Sequence, residues 1–169
     1  MKMTRTALML AMSGGFFFGA TFASAQDCQI NQPFTTPDQR FVDHGDGTVT
    51  DAQTGLMWKK CLEGQQGIFC YGSPAQMTWQ SAEQLASNNR FAGRDGWRLP
   101  SVKELSGIVE RSCQNPAINL RIFPGTPAHS FWSSSQSGAN AWSVDFSRGQ
   151  PLRSLQLGGK YVRLVRDLR

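Results

Sequence analysis

The chain has 169 residues, 17 basic and 12 acidic side chains, 40% hydrophobic residues and four cysteines. That length makes one domain, large enough to bury about 70% of the surface its unfolded chain exposes. No internal repeat or low-complexity stretch is present, and past the N-terminal segment no apolar run could span a bilayer, which excludes repeat arrays and multi-span membrane proteins.

Residues 1–25 read as a secretory signal peptide. Lys2 and Arg5 give a positive start, an apolar run from Ala7 to Phe22 follows, and Ala23-Ser24-Ala25 is a small-x-small cleavage site. No lipid-anchor motif abuts Cys28. The expected address is therefore outside the cytoplasm, periplasmic or secreted. Removing 25 of 169 residues leaves 144, which hold Cys28, Cys61, Cys70 and Cys113. An even cysteine count in an exported chain reads as disulfides. Of three pairings we favour Cys61–Cys70, closing the polar stretch Leu62–Gly67, and Cys28–Cys113, tying the new N-terminus to the end of a helix. Chain entropy assigns these roughly 2.7 and 4.6 kcal/mol. A zinc site lacks C-x-x-C spacing and has only His44 and His129 to draw on.

Residues 26–39 look irregular, with Pro33 and Pro37, and the domain proper is expected over 40–169. Arg40 to Lys60 predicts short strands separated by the turns His44-Gly45-Asp46-Gly47 and Ala52-Gln53-Thr54-Gly55. Asp43, Asp46 and Asp51 have a spacing that could hold calcium, but glycines stand where an EF-hand needs ligands. The favoured reading is carboxylates accepting turn N–H groups. Thr78 caps a helix with Trp79, Ala82, Leu85 and Ala86 on one face. Leu99-Pro100-Ser101 ends one segment and opens another, with Glu104 completing a capping box and Val102, Leu105, Ile108 and Val109 at helical spacing as far as about Ser112. Arg98 is expected to anchor that helix start through several buried hydrogen bonds.

After Asn115-Pro116 the chain turns to strand chemistry. Phe131–Ser135 is a short strand. Ala141–Ser147 alternates, with Trp142, Val144 and Phe146 facing one way and Ser143 and Asp145 the other. Leu152, Leu155 and Leu157 are less regular. Tyr161–Val165 predicts a last strand with Val162 and Leu164 opposite Tyr161 and Arg163. Two helices in the first half and antiparallel strands at both ends make the expected class α+β. The five tryptophans are expected to be mainly core residues.

The pieces together resemble the Lcl C-terminal domain family of exported bacterial proteins. The resemblance is carried by Asp46–Asp51 with Thr54–Trp58, the Cys61/Cys70 loop, Thr78-Trp79, Asp95–Pro100 with Glu104-Leu105, Ser112-Cys113 with Asn115–Ile118, Phe131–Ser135, Ala141-Trp142 with Val144 and Phe146, and Tyr161–Arg166. It implies a compact fold similar to C-type lectins and formylglycine-generating enzymes, with two helices packed on small antiparallel sheets. The founding member is a collagen-like adhesin that recognises sulfated glycans, and this chain has no collagen repeat. The formylglycine-generating enzymes hold copper with late cysteines, whereas no cysteine follows Cys113 here. The sugar-binding signatures of calcium-dependent lectins are also missing.

Charge is uneven after the leader. Two of the 17 basic residues lie in the leader, so the rest carries 15 basic and 12 acidic groups. From Asp145 onward six basic residues face two acidic ones. This asymmetry points to a polyanionic partner. Export makes nucleic acid an improbable one. The candidate ligand-binding residues are Arg148, Arg153, Lys160 and Arg163. Ser133, Ser134 and Ser135 lie near His129 in sequence, without a G-x-S-x-G or S-x-x-K motif in the exported part. No catalytic residue, metal or cofactor is expected. The reading is a non-enzymatic recognition domain for an anionic glycan or an envelope protein. The alternatives are a structural subunit of an envelope or pilus-like assembly and an enzyme related to sulfatase-modifying factors. The oligomeric state is open.

Overall fold

The computed structural model describes residues 26–29 and 31–168; the leader expected over 1–25 lies outside the described residues. In chain order the elements are β1 (Asp27–Cys28), a 3₁₀ turn (Asp38–Arg40), β2 (Phe41–Asp43), β3 (Thr48–Asp51), β4 (Leu56–Lys59), α1 (Trp79–Ser87), α2 (Val102–Gly107), β5 (Cys113–Gln114), β6 (Ser130–Ser137), β7 (Asn140–Asp145), β8 (Gln150–Leu155) and β9 (Val165–Asp167). They form a two-stranded ladder β1-β5, a four-stranded sheet β2-β3-β4-β9 and a three-stranded sheet β6-β7-β8, all antiparallel. The class is α+β with two disulfides, as the sequence predicts.

The first meander forms because its turns supply their own hydrogen bonds. Asp43 accepts from the Gly45 N–H and Asp46 from the Thr48 N–H, each at 3.0 Å. Gly47 has φ +86°, a conformation that costs little only without a side chain. Thr78 caps α1 by accepting from the Ser81 N–H, and Ala82 and Ala86 turn inward. Both halves of the α2 capping box are present: Ser101 Oγ accepts from Glu104 N–H, and Glu104 accepts from Ser101 N–H. The helix is shorter than predicted, ending at Gly107 rather than near Ser112. Tertiary partners take the chain from there. Val109 bridges Ile118, and Glu110 N–H donates to Ala117 O.

Residues 26–39, predicted irregular, contribute β1 and dock Thr35 and Thr36 on Glu110. The last strand is displaced from Tyr161–Val165 to Val165–Asp167. Residues 161–164 instead form a seam between the two larger sheets. Tyr161 exchanges backbone bonds with Ser130 and Trp132 of β6, while Leu164 O accepts from Lys59 and Val162 O from Glu63. Covered on both sides, Val162, Arg163 and Leu164 are all buried. β7 likewise departs from simple alternation. As the central strand it buries Ser143 as fully as Val144, and Ser143 Oγ bonds to Leu152 O and Ser154 Oγ across the sheet. Leu152, Leu155 and Leu157 lie exposed on or beside the edge strand β8.

The core has two parts. One packs α2 with Val49, Trp58, Phe123, Phe131, Val144, Phe146 and Val165; the other packs α1 with Met57, Trp97, Leu99, Trp132, Val162 and Leu164. Trp58, Trp97 and Trp132 are buried, whereas Trp79 and Trp142 are half-buried.

Candidate functional site

Both expected disulfides form, Cys28–Cys113 and Cys61–Cys70. The first links facing residues of β1 and β5, and the second closes a loop after β4. Among the described residues no cysteine is free.

The four basic residues singled out by the sequence do not share one surface. Arg163 is 1% exposed and unavailable to any external ligand. Its guanidinium donates to the carbonyls of Lys59 and Lys60 and to Thr126 Oγ1, and stacks 4.7 Å above the Phe123 ring. Burial pulls its pKa down to about 9, which leaves it charged at neutral pH. Its role is to tie the seam to the end of β4. Lys160 is half-buried with its amine 5.0 Å above Trp132; burial lowers its pKa, with Asp145 acting in the opposite direction. Arg153 is exposed on β8, bonded to Ser137 Oγ at 2.6 Å and poised over Trp142. Arg148 is exposed in the turn before β8.

The structure gives Arg148 a partner that sequence reasoning missed. Arg148 and Arg111 line one polar cleft of about 280 Å³ with Gln29, Ser112, Gln114 and Gln150. Among the described residues neither arginine has a salt bridge. Asp27 also lines the cleft, and it accepts from Gln114 Nε2 at 3.1 Å. Arg111 stands 37 positions before Arg148, and only the fold brings them together. Arg111 also borders a broad shallow groove of about 830 Å³ shared with Arg40, Gln53, Lys103 and Glu104.

The aspartates of the first meander are occupied structurally. Asp43 pairs with Lys60, Asp46 with Arg94 and Asp51 with Arg40, and each also accepts a turn N–H. Desolvation would raise each carboxyl, but the donors outweigh it and hold all three below the usual carboxylate value. Arg98 meets Glu104 through two bonds of 2.9 Å and Asp167 through two of 3.2 Å, joining the α2 cap to β9. The hydrogen bonds to Glu104 dominate, raising the arginine pKa and lowering that of the glutamate. Two of the three serines near His129 also have fixed side-chain partners. Ser133 Oγ donates to Trp142 O, and Ser135 Oγ accepts from Val102 N–H. Among the described residues no three metal-ligating side chains cluster.

A second exposed feature is the tip of the Cys61–Cys70 loop, where Ile68, Phe69 and Tyr71 project. The sequence reading stopped at the polar residues 62–67. The signal for the tip was the apolar run between Gly67 and Gly72.

Fold and surface together define a small α+β domain, closed by two disulfides, whose charged groups mainly hold the framework. The chain belongs to the Lcl C-terminal domain family, whose model matches residues 47–166. Comparison with curated proteins gives no match.

Proposed function

We propose that residues 40–169, with 26–39 strapped to them, form an exported, non-enzymatic recognition domain for a ligand that carries anionic groups, on a glycan or an envelope protein. The observation that carries this reading is the cleft holding Arg111 and Arg148. Guanidinium groups present planar forks of donors that match sulfate, phosphate and carboxylate oxygens. Two of them on one polar cleft, without salt-bridge partners among the described residues, make the surface receptive to such groups. Oxidised cysteines fit a compartment outside the cytoplasm. Three of the carboxylates fit a non-catalytic role. Asp51, Glu104 and Glu110 are committed to fixed donors, which holds them ionised and takes them out of proton transfer near neutral pH.

Heparin chromatography tests the reading. Arg111→Ser with Arg148→Ser should elute at clearly lower salt than the parent, with roughly tenfold weaker binding at fixed ionic strength. Arg153→Ser, which lies outside the cleft, should shift elution less. Unchanged elution of the double variant overturns the assignment. A structural subunit of an assembly is the second reading. It is favoured by the free edge of β8 with exposed Leu152 and Leu155.

A further inference from the structure

The loop closed by Cys61–Cys70 is built to hold apolar side chains in water. Ile68, Phe69 and Tyr71 are 42%, 65% and 69% exposed. Gln66 and Tyr71 exchange backbone hydrogen bonds of 2.8 and 2.9 Å below the tip, and the Phe69 and Tyr71 rings meet edge to face at 6.0 Å. The turn at Gly125 packs against its base, since a Cβ there would come within 3.6 Å of Cys70 Cβ. A disulfide, a backbone pair and a packed base leave little freedom to lose on binding.

The one charge inside the loop, Glu63, is paired with Lys59 and mostly buried, and the chain that follows it is uncharged. From Gly64 to Ala82 there is no charged residue, in a chain where 17% of residues are charged. A second uncharged stretch, residues 154–159, lies beside residues 77–79 through Trp79 N–H to Gln156 O and is followed by Lys160. It carries Leu155 and Leu157, 69% and 87% exposed. The tip is exposed, and neither of the clefts described above is lined by residues 66–72. The two rings lie 61° apart and offer no shared flat platform for a sugar ring, and Gln65 Oε1 is already held by Leu62 N–H.

We propose that this loop is a lipid-contact wedge, with Ile68, Phe69 and Tyr71 entering the interfacial layer of a bilayer. A bilayer deforms around a convex apolar tip, whereas a protein partner needs a matching hollow. With Glu63 already paired to Lys59 and mostly buried, the tip can leave water without stripping an exposed ion of its hydration. Tyrosine and phenylalanine place an apolar body below the headgroups, with the tyrosine hydroxyl at headgroup level. Attraction of this kind is indifferent to lipid charge. The proposal is independent of the anion cleft, because the wedge needs neither Arg111 nor Arg148.

The test is flotation of the purified, disulfide-intact protein with phosphatidylcholine vesicles. The expected result is co-flotation that persists in high salt and falls about tenfold in Phe69→Ser with Tyr71→Ser. Both side chains are exposed, so the fold should survive, and heparin elution of this variant should match the parent. Phe69→Trp should gain emission that brominated acyl chains quench. Absence of flotation, flotation only on anionic vesicles and lost in salt, or flotation indifferent to Phe69 and Tyr71 would each overturn the proposal. So would capture by the loop of a neutral oligosaccharide or a second copy of the chain without vesicle binding.

Discussion

Glu110 shows how a single buried carboxylate can organise a region. It is 1% exposed and is stabilised by neutral donors alone: the N–H groups of Thr35, Thr36 and Ser112 and the hydroxyls of Thr35 and Thr36. Desolvation pushes its pKa up, but these donors push harder, so the folded value lies below the ordinary 4.5. A carboxylate depressed by folding gives stability that is complete above its unfolded pKa and is lost as pH falls through the folded one. Asp51 and Glu104 act in the same sense. The urea midpoint should therefore stay level from about pH 7 to 5 and fall below about pH 4. Glu110→Gln turns an acceptor into a donor facing N–H groups, and should cost about 2–3 kcal/mol in chemical denaturation at neutral pH. The sequence did not mark Glu110 or Arg163 as structural. Arg163 alternates with apolar neighbours as a surface residue would, and only the two-sided cover of residues 161–164 buries it. By contrast, the turn aspartates and the anchoring role of Arg98 were legible where the partner is local, a turn N–H or Glu104, whereas the distant partners Arg94 and Asp167 were not, and the Arg98 bonds lie at a half-exposed rather than a buried site.

Elements were legible in proportion to how local their causes are. Thr78 and Ser101 set helix starts from within a single turn, and the structure reproduces both. The end of α2 depends on Ala117, Ile118 and the threonines near residue 35, which the local pattern cannot see. The position of β9 depends in the same way on β4. The turn between β7 and β8 is another long-range case. Gly149 has φ +68°, and a Cβ there would lie 2.3 Å from Val109 Cγ1. Gly149→Ala should destabilise by about 2–3 kcal/mol, combining backbone strain with overpacking. Gly138→Ala, in the open turn between β6 and β7, meets no atom and should cost only about 1 kcal/mol. Thermal melts of the two variants give the comparison, and equal losses would show that the contact with Val109 relaxes freely.

At the scale of the whole molecule, the two disulfides do different work. Cys28–Cys113 closes 85 residues and fixes the N-terminal segment to the body, whereas Cys61–Cys70 closes nine and shapes one loop. Loop entropy predicts losses of about 4.6 and about 2.7 kcal/mol when each pair is replaced by alanine, so the first replacement should lower the melting temperature more. A reversed order would mean that packing rather than connectivity sets the strength of the first link. The pairing was legible from cysteine positions, but the grouping of basic residues was not. Charge asymmetry along a chain says nothing of which guanidinium groups meet, and the C-terminal excess divides between the core, the two sheets and the cleft it shares with Arg111.

The seam at residues 161–164 and strand β9 have a consequence for how the fold closes. They follow all of their partners in the chain, and Lys59, Glu63, Ser130 and Trp132 rely on them to satisfy backbone groups. Without them an open slit separates the two larger sheets. A chain cut before Val162 should therefore keep its local turns and helix caps but lose the cooperative melt of the whole domain.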